Sequence, residues 1–264
     1  MNCTEQNIQA AINPGFTSWQ SDGIYLPEIK GQVMIVVRTD QVHLNEVMEL
    51  RKFLTVSEVE KSQRFRFNKD RVSYIVVHGL LRMMLGRHLG ISPQEVSMVY
   101  NSYGKPAVSG CSRNVCFNMT SRAGVSVLAF DSENEIGVDV ERLDEAFEFE
   151  SIVKRFFPAK EIQYIFQSKV NSRQRFYQIW TRKEAYLKAI GTGITENLKT
   201  EVLNEIMNET RSIGNESRPG IFTFRSILFE QDFRITLAIK AGSEPIQAYY
   251  LRNFRTDLLK KNEA

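Results

Sequence analysis

IGVDVE, residues 136–141, decides how this 264-residue chain is read. Ile136, Val138 and Val140 alternate with Gly137, Asp139 and Glu141, the two-residue period of a β-strand. Asp139 and Glu141 therefore project from one face, side by side. Like charges at that range repel unless a cation or a hydrogen-bond donor lies between them, and strand formation alone does not call for them.

Comparison of the chain with itself gives the hexapeptide a context. At an offset of 103, as from Phe53 to Phe156, QVMIVV (32–37) falls on EIGVDV (135–140), so that Val33, Ile35 and Val37 meet Ile136, Val138 and Val140. The same register pairs Glu58 with Glu161, Asn68 with Asn171, Tyr74 with Tyr177 and Gly90 with Gly193. Each half opens with a strand and continues through a short helix (SEVEKSQRF; KEIQYIF). A longer helix follows (RVSYIVVHGLLRMMLGRHLG; RQRFYQIWTRKEAYLKAIG), with apolar residues at three- and four-residue steps and a closing glycine. VCFNM and GVSVLAF complete the first half; IFTFRSILF, FRITLAI and QAYYLR complete the second. The predicted fold is α+β, with two similar tandem subdomains, 1–133 and 134–264, related by an internal pseudo-twofold. The break is expected in the polar DSENE (131–135), and NETRSIGNESRPG (208–220) reads as a hairpin loop within the second half.

The repeat makes departures legible. Asp139 and Glu141 stand where the first half has Val36 and Arg38, while Glu184 and Lys188 replace Leu81 and Leu85 on the apolar stripe of the long helix. One account is an i,i+4 ion pair on a solvated helix face, with the strand carboxylates at a sheet edge. The other is convergence: three carboxylates from a strand and a helix suit a hard divalent cation such as Mg²⁺.

Composition narrows the classes. With 34 basic and 31 acidic residues the net charge of +3 is no nucleic-acid-binding signature. Cys3, Cys111 and Cys116 lack C-x-x-C spacing and His43, His78 and His88 are scattered, which argues against structural zinc or a disulfide framework. MNCTEQNIQAAINPGF at the start has neither the basic nor the apolar region of a secretion signal, and no run approaches the ~20 apolar residues of a membrane span. A soluble, cytoplasmic protein is expected, with no nucleic-acid or membrane partner.

GVDVE, KRFFPAKE and IWTRKEAYLKAIGTGI, in this order, resemble the signature blocks of the 4′-phosphopantetheinyl transferases, specifically the longer, surfactin-synthetase-activating type built as a pseudo-dimer in one chain. The pattern W-x-x-K-E-[AS]-x-x-K is met by Trp180, Lys183, Glu184, Ala185 and Lys188. The resemblance implies transfer of the phosphopantetheine arm of coenzyme A to a serine of an acyl or peptidyl carrier protein, releasing adenosine 3′,5′-bisphosphate. It implies that Asp139, Glu141 and Glu184 hold Mg²⁺, that Lys188 meets the phosphate and that Glu184 takes the serine proton. It further implies that the first subdomain contacts the phosphates of coenzyme A. Lys61 and Lys105, the latter in YGKPAV, are the basic matches; Arg64 and Arg71 lie near them in sequence.

One block departs from the family. Where the pattern reads F-N-[ILV]-S-H-[ST], this chain reads FNMTSR: Thr120 keeps a hydroxyl, but Ser121 stands in place of the histidine and Arg122 follows. Either Ser121 and Arg122 substitute for the imidazole contact with coenzyme A, or that contact is weakened. A coenzyme A or nucleotide binding protein with weakened or lost transferase activity is the alternative reading. RLDEAFEFESIVKRFF offers Phe147, Phe149, Lys154 and Arg155 as carrier contacts, or as a loop and amphipathic helix packed on its own half. An internal duplication also leads to the expectation of a monomer.

Overall fold

The computed structural model describes residues 16–20, 27–110, 113–192, 198–203, 211–212, 221–240 and 245–251. Its described elements are α+β. Two compact units account for them: one comprises 17–100, 106–133 and the closing strand, the other 101–105 and 134–245. Among the described residues no helix is long and apolar enough to cross a membrane.

The first unit is built around β2 (Gln32–Arg38), whose residues 32–37 are all buried. Three helices follow: α1 (Leu44–Arg51), α2 (Val56–Gln63) and α3 (Asn68–Leu89). Thr55 and Glu58 start α2 with reciprocal hydrogen bonds, Thr55 N donating to Glu58 Oε2 at 2.9 Å, and Gly90 ends α3 at φ 71°. The hairpin β5 (Cys116–Arg122) and β6 (Val125–Asp131) returns antiparallel, with β6 beside β2.

The second unit repeats that connectivity. β7 (Ile136–Arg142) leads into α4 (Glu150–Phe156), α5 (Ala159–Phe166) and α6 (Ser172–Ile190). The strands β9 (Ile221–Phe229) and β10 (Phe233–Lys240) then form the hairpin, with β10 beside β7. Lead strand, helices and a hairpin whose second strand flanks the lead strand thus occur in each unit. Of the expected loop at 208–220, only 211–212 is described, forming the short β8 (Arg211–Ser212) on the edge of β9; the rest lies outside the described residues, as do 1–15.

One strand joins a different sheet from the one expected. QAYYLR was read as closing the second half; as β11 (Ile246–Leu251) it instead runs parallel to β2, in a five-stranded sheet ordered β1-β11-β2-β6-β5, where β1 is Phe16–Gln20. The reason is backbone satisfaction. β2 is buried along its length, so the amides and carbonyls on the edge away from β6 need partners, and β11 supplies them.

Each unit also carries a buried ion pair in an equivalent place. Glu58, third residue of α2, accepts from Arg82 Nε on α3 at 2.5 Å, and the same guanidinium donates to the carbonyls of Pro93 and Val96 at 2.9 and 3.0 Å. Glu161, third residue of α5, pairs with Lys183 Nζ on α6 at 2.7 Å. The two glutamates were matched by the repeat; their partners were not.

Candidate active site

The site begins where α6 crosses β7 and β10. Ile136, Val138 and Val140 are buried, and Gly137, Asp139 and Glu141 share the opposite face of β7. At Gly137 the helix backbone lies directly on the strand. A Cβ there would overlap Ala185 O and Ala189 N and come within 2.9 Å of Ala189 Cα. Glycine in the strand and alanine one turn apart in the helix permit this approach. Gly137→Ala is expected to push the helix off the strand at a cost of about 1–3 kcal/mol, read as a lower denaturation midpoint.

Close approach sets the acidic residues together. Lys188, in the last turn of α6, donates from Nζ to Asp139 Oδ1 at 2.6 Å, with the carboxylate side chain 5 % exposed and the lysine 28 %. Glu184, one turn earlier, is 6 % exposed. Burial, then the negative charge of Asp139, and more weakly that of Glu141, push its carboxyl up to about 7, against the opposing pull of Lys188. The solvated-face account of Glu184 and Lys188 does not hold, because Glu184 is buried and the ammonium bonds to the strand. Beneath them, Thr181 Oγ1 lies 2.8 Å from Thr236 Oγ1, and Thr236 pairs across the sheet with Asp139.

The motif W-x-x-K-E-[AS]-x-x-K now divides by task. Trp180 stacks on Phe157 and packs on Phe176 in the unit's aromatic core, with ring centroids 6.4 and 5.8 Å away. Lys183, 1 % exposed, turns from the acidic site to Glu161, donates to Thr200 O at 2.6 Å and lies over the Phe157 ring. Glu161 in turn accepts from Val202 N at 2.7 Å, so the pair fastens 198–203 to α5 and α6. Burial pushes Glu161 up and Lys183 down, and their mutual attraction resists both shifts. Ala185 permits the contact at Gly137; Glu184 and Lys188 face Asp139. Lys183 and Glu161 had no assigned role in the sequence reading, although the identity of Glu58 and Glu161 in the repeat was a signal of one.

Asp139, Glu141 and Glu184 carry hard oxygen donors of the kind that suit Mg²⁺, and a divalent ion would offset the charges of Asp139 and Glu141 that add to burial in pushing the Glu184 carboxyl up. They are not drawn together in advance: among the described residues no three His, Cys, Asp or Glu side chains form a group ready to hold a metal ion. One oxygen of Asp139 is engaged by the ammonium of Lys188.

The other predicted contacts lie elsewhere. Lys61 on α2 is exposed, its Nζ 5.4 Å from the centre of the Tyr74 ring. Arg64 is exposed and Arg71, on α3, is half-buried. Thr120 and Ser121 are on β5; Ser121 Oγ lies 2.8 Å from Ser126 Oγ, which is 3.4 Å from Ser73 Oγ. Ser121 and Ser73 line a cleft of about 640 Å³ in the first unit, whose charged lining residues are Lys69, Arg122, Asp40 and Asp70. Lys105 belongs to the second unit and donates to the Ala189 carbonyl in the last turn of α6, while Asn101 Nδ2 donates to Gly191 O at 2.8 Å. Among the proposed carrier contacts, Phe149 is 1 % exposed and stacks on Phe176 at 4.7 Å, so packing within its own unit explains it. Phe147 is 40 % exposed, and Lys154 and Arg155 are exposed on α4.

Residues 135–238, which include every member of the acidic site, match the family model of the 4′-phosphopantetheinyl transferase superfamily. The 4′-phosphopantetheinyl transferase HetI of Nostoc sp. is 31 % identical over 180 residues, covering 64 % of this chain and 76 % of the relative. A putative 4′-phosphopantetheinyl transferase of Synechocystis sp. is 31 % identical over 154 residues, 58 % of this chain and 63 % of the relative. The L-aminoadipate-semialdehyde dehydrogenase-phosphopantetheinyl transferase of Xenopus laevis is 27 % identical over 203 residues, 69 % of this chain and 67 % of the relative. With a carboxylate pair and lysine built from the matched strand and helix, and relatives of this extent, the chain belongs to the 4′-phosphopantetheinyl transferases and is an enzyme of that class.

Proposed function

We propose that this enzyme moves the 4′-phosphopantetheine group of coenzyme A to a serine of an acyl or peptidyl carrier protein, acting in the cytoplasm as a monomeric, internally duplicated chain with pseudo-twofold symmetry. The observation that supports the reading is geometric: Glu184 is buried on α6 one turn before Lys188, whose ammonium donates to Asp139 Oδ1 on β7 at 2.6 Å. In the transfer, the serine oxygen bonds to the pantetheine-linked phosphorus, the bond from that phosphorus to the bridging oxygen of adenosine 3′,5′-bisphosphate breaks, and the serine proton goes to Glu184. Asp139, Glu141 and Glu184 would hold Mg²⁺, which supplies charge neutralisation for the diphosphate. Lys188 adds a second cation.

Residues 1–133 would contribute coenzyme A phosphate contacts through Lys61, Arg71, Thr120 and Ser121, with Lys105 as a further cation, and 134–264 the metal site and catalytic helix. Phe147, Lys154 and Arg155 remain the candidates for touching an acidic carrier. Incubation of the protein with an apo carrier, coenzyme A and Mg²⁺ should add one phosphopantetheine mass to the carrier. No mass gain, with coenzyme A still bound, would establish the alternative of a binding protein with lost transferase activity.

That alternative is motivated by Ser121, whose hydroxyl is already engaged by Ser126 at 2.8 Å and so replaces an imidazole only in part. Ser121→His is therefore expected to lower KM for coenzyme A by about tenfold, the value of one hydrogen bond to a charged group, leaving kcat nearly unchanged. An unaltered KM would mean that the serine is an adequate substitute.

A further inference from the structure

Asn101 and Lys105 are distant from α6 in sequence, yet both end on its C-terminal turn. Asn101 Nδ2 donates to Gly191 O at 2.8 Å, and Lys105 Nζ donates to Ala189 O. The last carbonyls of a helix have no intrahelical partner, and a positive charge beside them also meets the negative end of the helix dipole. The carboxamide of Asn101 has a second use. Its Oδ1 accepts from Tyr103 N and from Lys105 N, each at 2.9 Å, while Asn101 N donates to Lys105 O at 3.1 Å. One side chain thus shapes the turn 101–105 and fastens it to the helix. Gly191, at φ 69°, leaves room for the fastening: a Cβ there would come within 2.8 Å of Asn101 Nδ2 and 2.9 Å of Lys105 Cδ.

Lys188 directly precedes Ala189, so the turn that is held is the one whose ammonium donates to Asp139 Oδ1 at 2.6 Å. An unheld helix end frays, and a lysine in its last turn then loses its fixed origin. Resting on the functional reading above, we infer that Asn101 is a positioning residue for the transfer: by holding the C-terminal turn of α6 through Gly191, it fixes the place from which Lys188 meets the diphosphate. Lys105 supports the same clamp through the Ala189 carbonyl. Glu184, a full turn further from the helix end, is anchored by the contact of Ala185 with Gly137 and depends less on the clamp. A cation aimed at charge that builds up in the transition state acts on the chemical step, so a loosened clamp slows turnover more than it weakens donor binding.

Asn101→Asp is the informative variant, because it keeps Oδ1 for the two turn amides and sets a second oxygen where the donor to Gly191 O stood. Steady-state transfer with an apo carrier, coenzyme A and Mg²⁺ should show kcat lowered by about tenfold to a hundredfold, the range for a group displaced by up to ~1 Å. KM for coenzyme A should stay within about twofold of the native value. Hydrogen exchange at Gly191 and Thr192, whose amides donate to Leu187 O, should quicken by about tenfold, the equivalent of one lost hydrogen bond. In a Lys188→Ala background the same change should lower kcat no further. Should the aspartate unfold the protein, Asn101→Ala supplies the same comparison. Unchanged kcat, even with faster exchange, overturns the positioning role and leaves an ordinary helix cap. A raised KM with kcat unchanged overturns it as well and assigns 101–105 to the donor. So does an equal loss in the Lys188→Ala background, since Asn101 would then act by another route. Carrier mass gain with the native protein is measured first: its absence removes the functional reading, whereas native transfer with an unaffected variant removes only this inference.

Discussion

Glu184→Gln is expected to reduce phosphopantetheine transfer by at least about 10²–10³-fold, the range seen when one preorganised electrostatic group is removed from a reacting centre, and at the same time to stabilise the protein at pH 8 in chelator. Both effects come from the same burial. In the folded protein the carboxyl is pushed from an ordinary 4.5 to about 7, so between those values the folded state holds the proton that the unfolded chain has lost. Stability contributed by this group therefore falls as pH rises from about 4.5 to about 7 and stays low above that. The full penalty is on the order of 3 kcal/mol at 1.36 kcal/mol per pKa unit. Glutamine keeps the shape without the charge. Denaturant titration of both proteins at pH 5 and pH 8 checks the sign: the variant's advantage should grow toward pH 8, and an advantage confined to pH 5 would refute the assignment.

Glu161→Ala is expected to cost about 3–5 kcal/mol, the consequence of leaving a buried charge without its partner. Lys183 is 1 % exposed and would retain only the Thr200 carbonyl and the face of Phe157, while Val202 N would lose its acceptor. Lys183→Met alone should be similarly damaging. Combined replacement, Glu161→Leu with Lys183→Met, should recover most of the loss, because an apolar pair of similar volume carries no desolvation penalty. Additive losses in the double variant, measured as a thermodynamic cycle, would show that the two side chains act independently.

These cases show how far the sequence could be read. The alternation in IGVDVE and the three- and four-residue steps of the long helices encode local geometry, so β7, α3 and α6 were legible with their glycine ends at Gly90 and Gly191. The difference between Leu81 and Leu85 and their counterparts Glu184 and Lys188 was equally legible, because the match of the chain with itself at an offset of 103 supplied an internal reference. What escaped depends on contacts distant along the chain. Gly137 reads as an ordinary strand interruption until Ala185 and Ala189 lie on it. Phe149 and Phe147 are indistinguishable by type, yet the ring of Phe176 buries the first and leaves the second two-fifths exposed. Lys188 was assigned to a phosphate; its bond to Asp139 required the helix and strand to be seen together.

The parallel pairing of β11 with β2 has a consequence for biosynthesis. On the ribosome, β2 is made about 200 residues before the strand that covers its second edge, as the numbers of Arg38 and Ile246 show, so at 5–20 residues per second it waits roughly 10–40 s. During that interval a nascent chain exposes a hydrophobic strand able to pair with another polypeptide. Severing the gene at the 133/134 junction would make the exposure permanent, so aggregation of the isolated upstream fragment, relieved by supplying the β11 peptide in trans, follows from this topology.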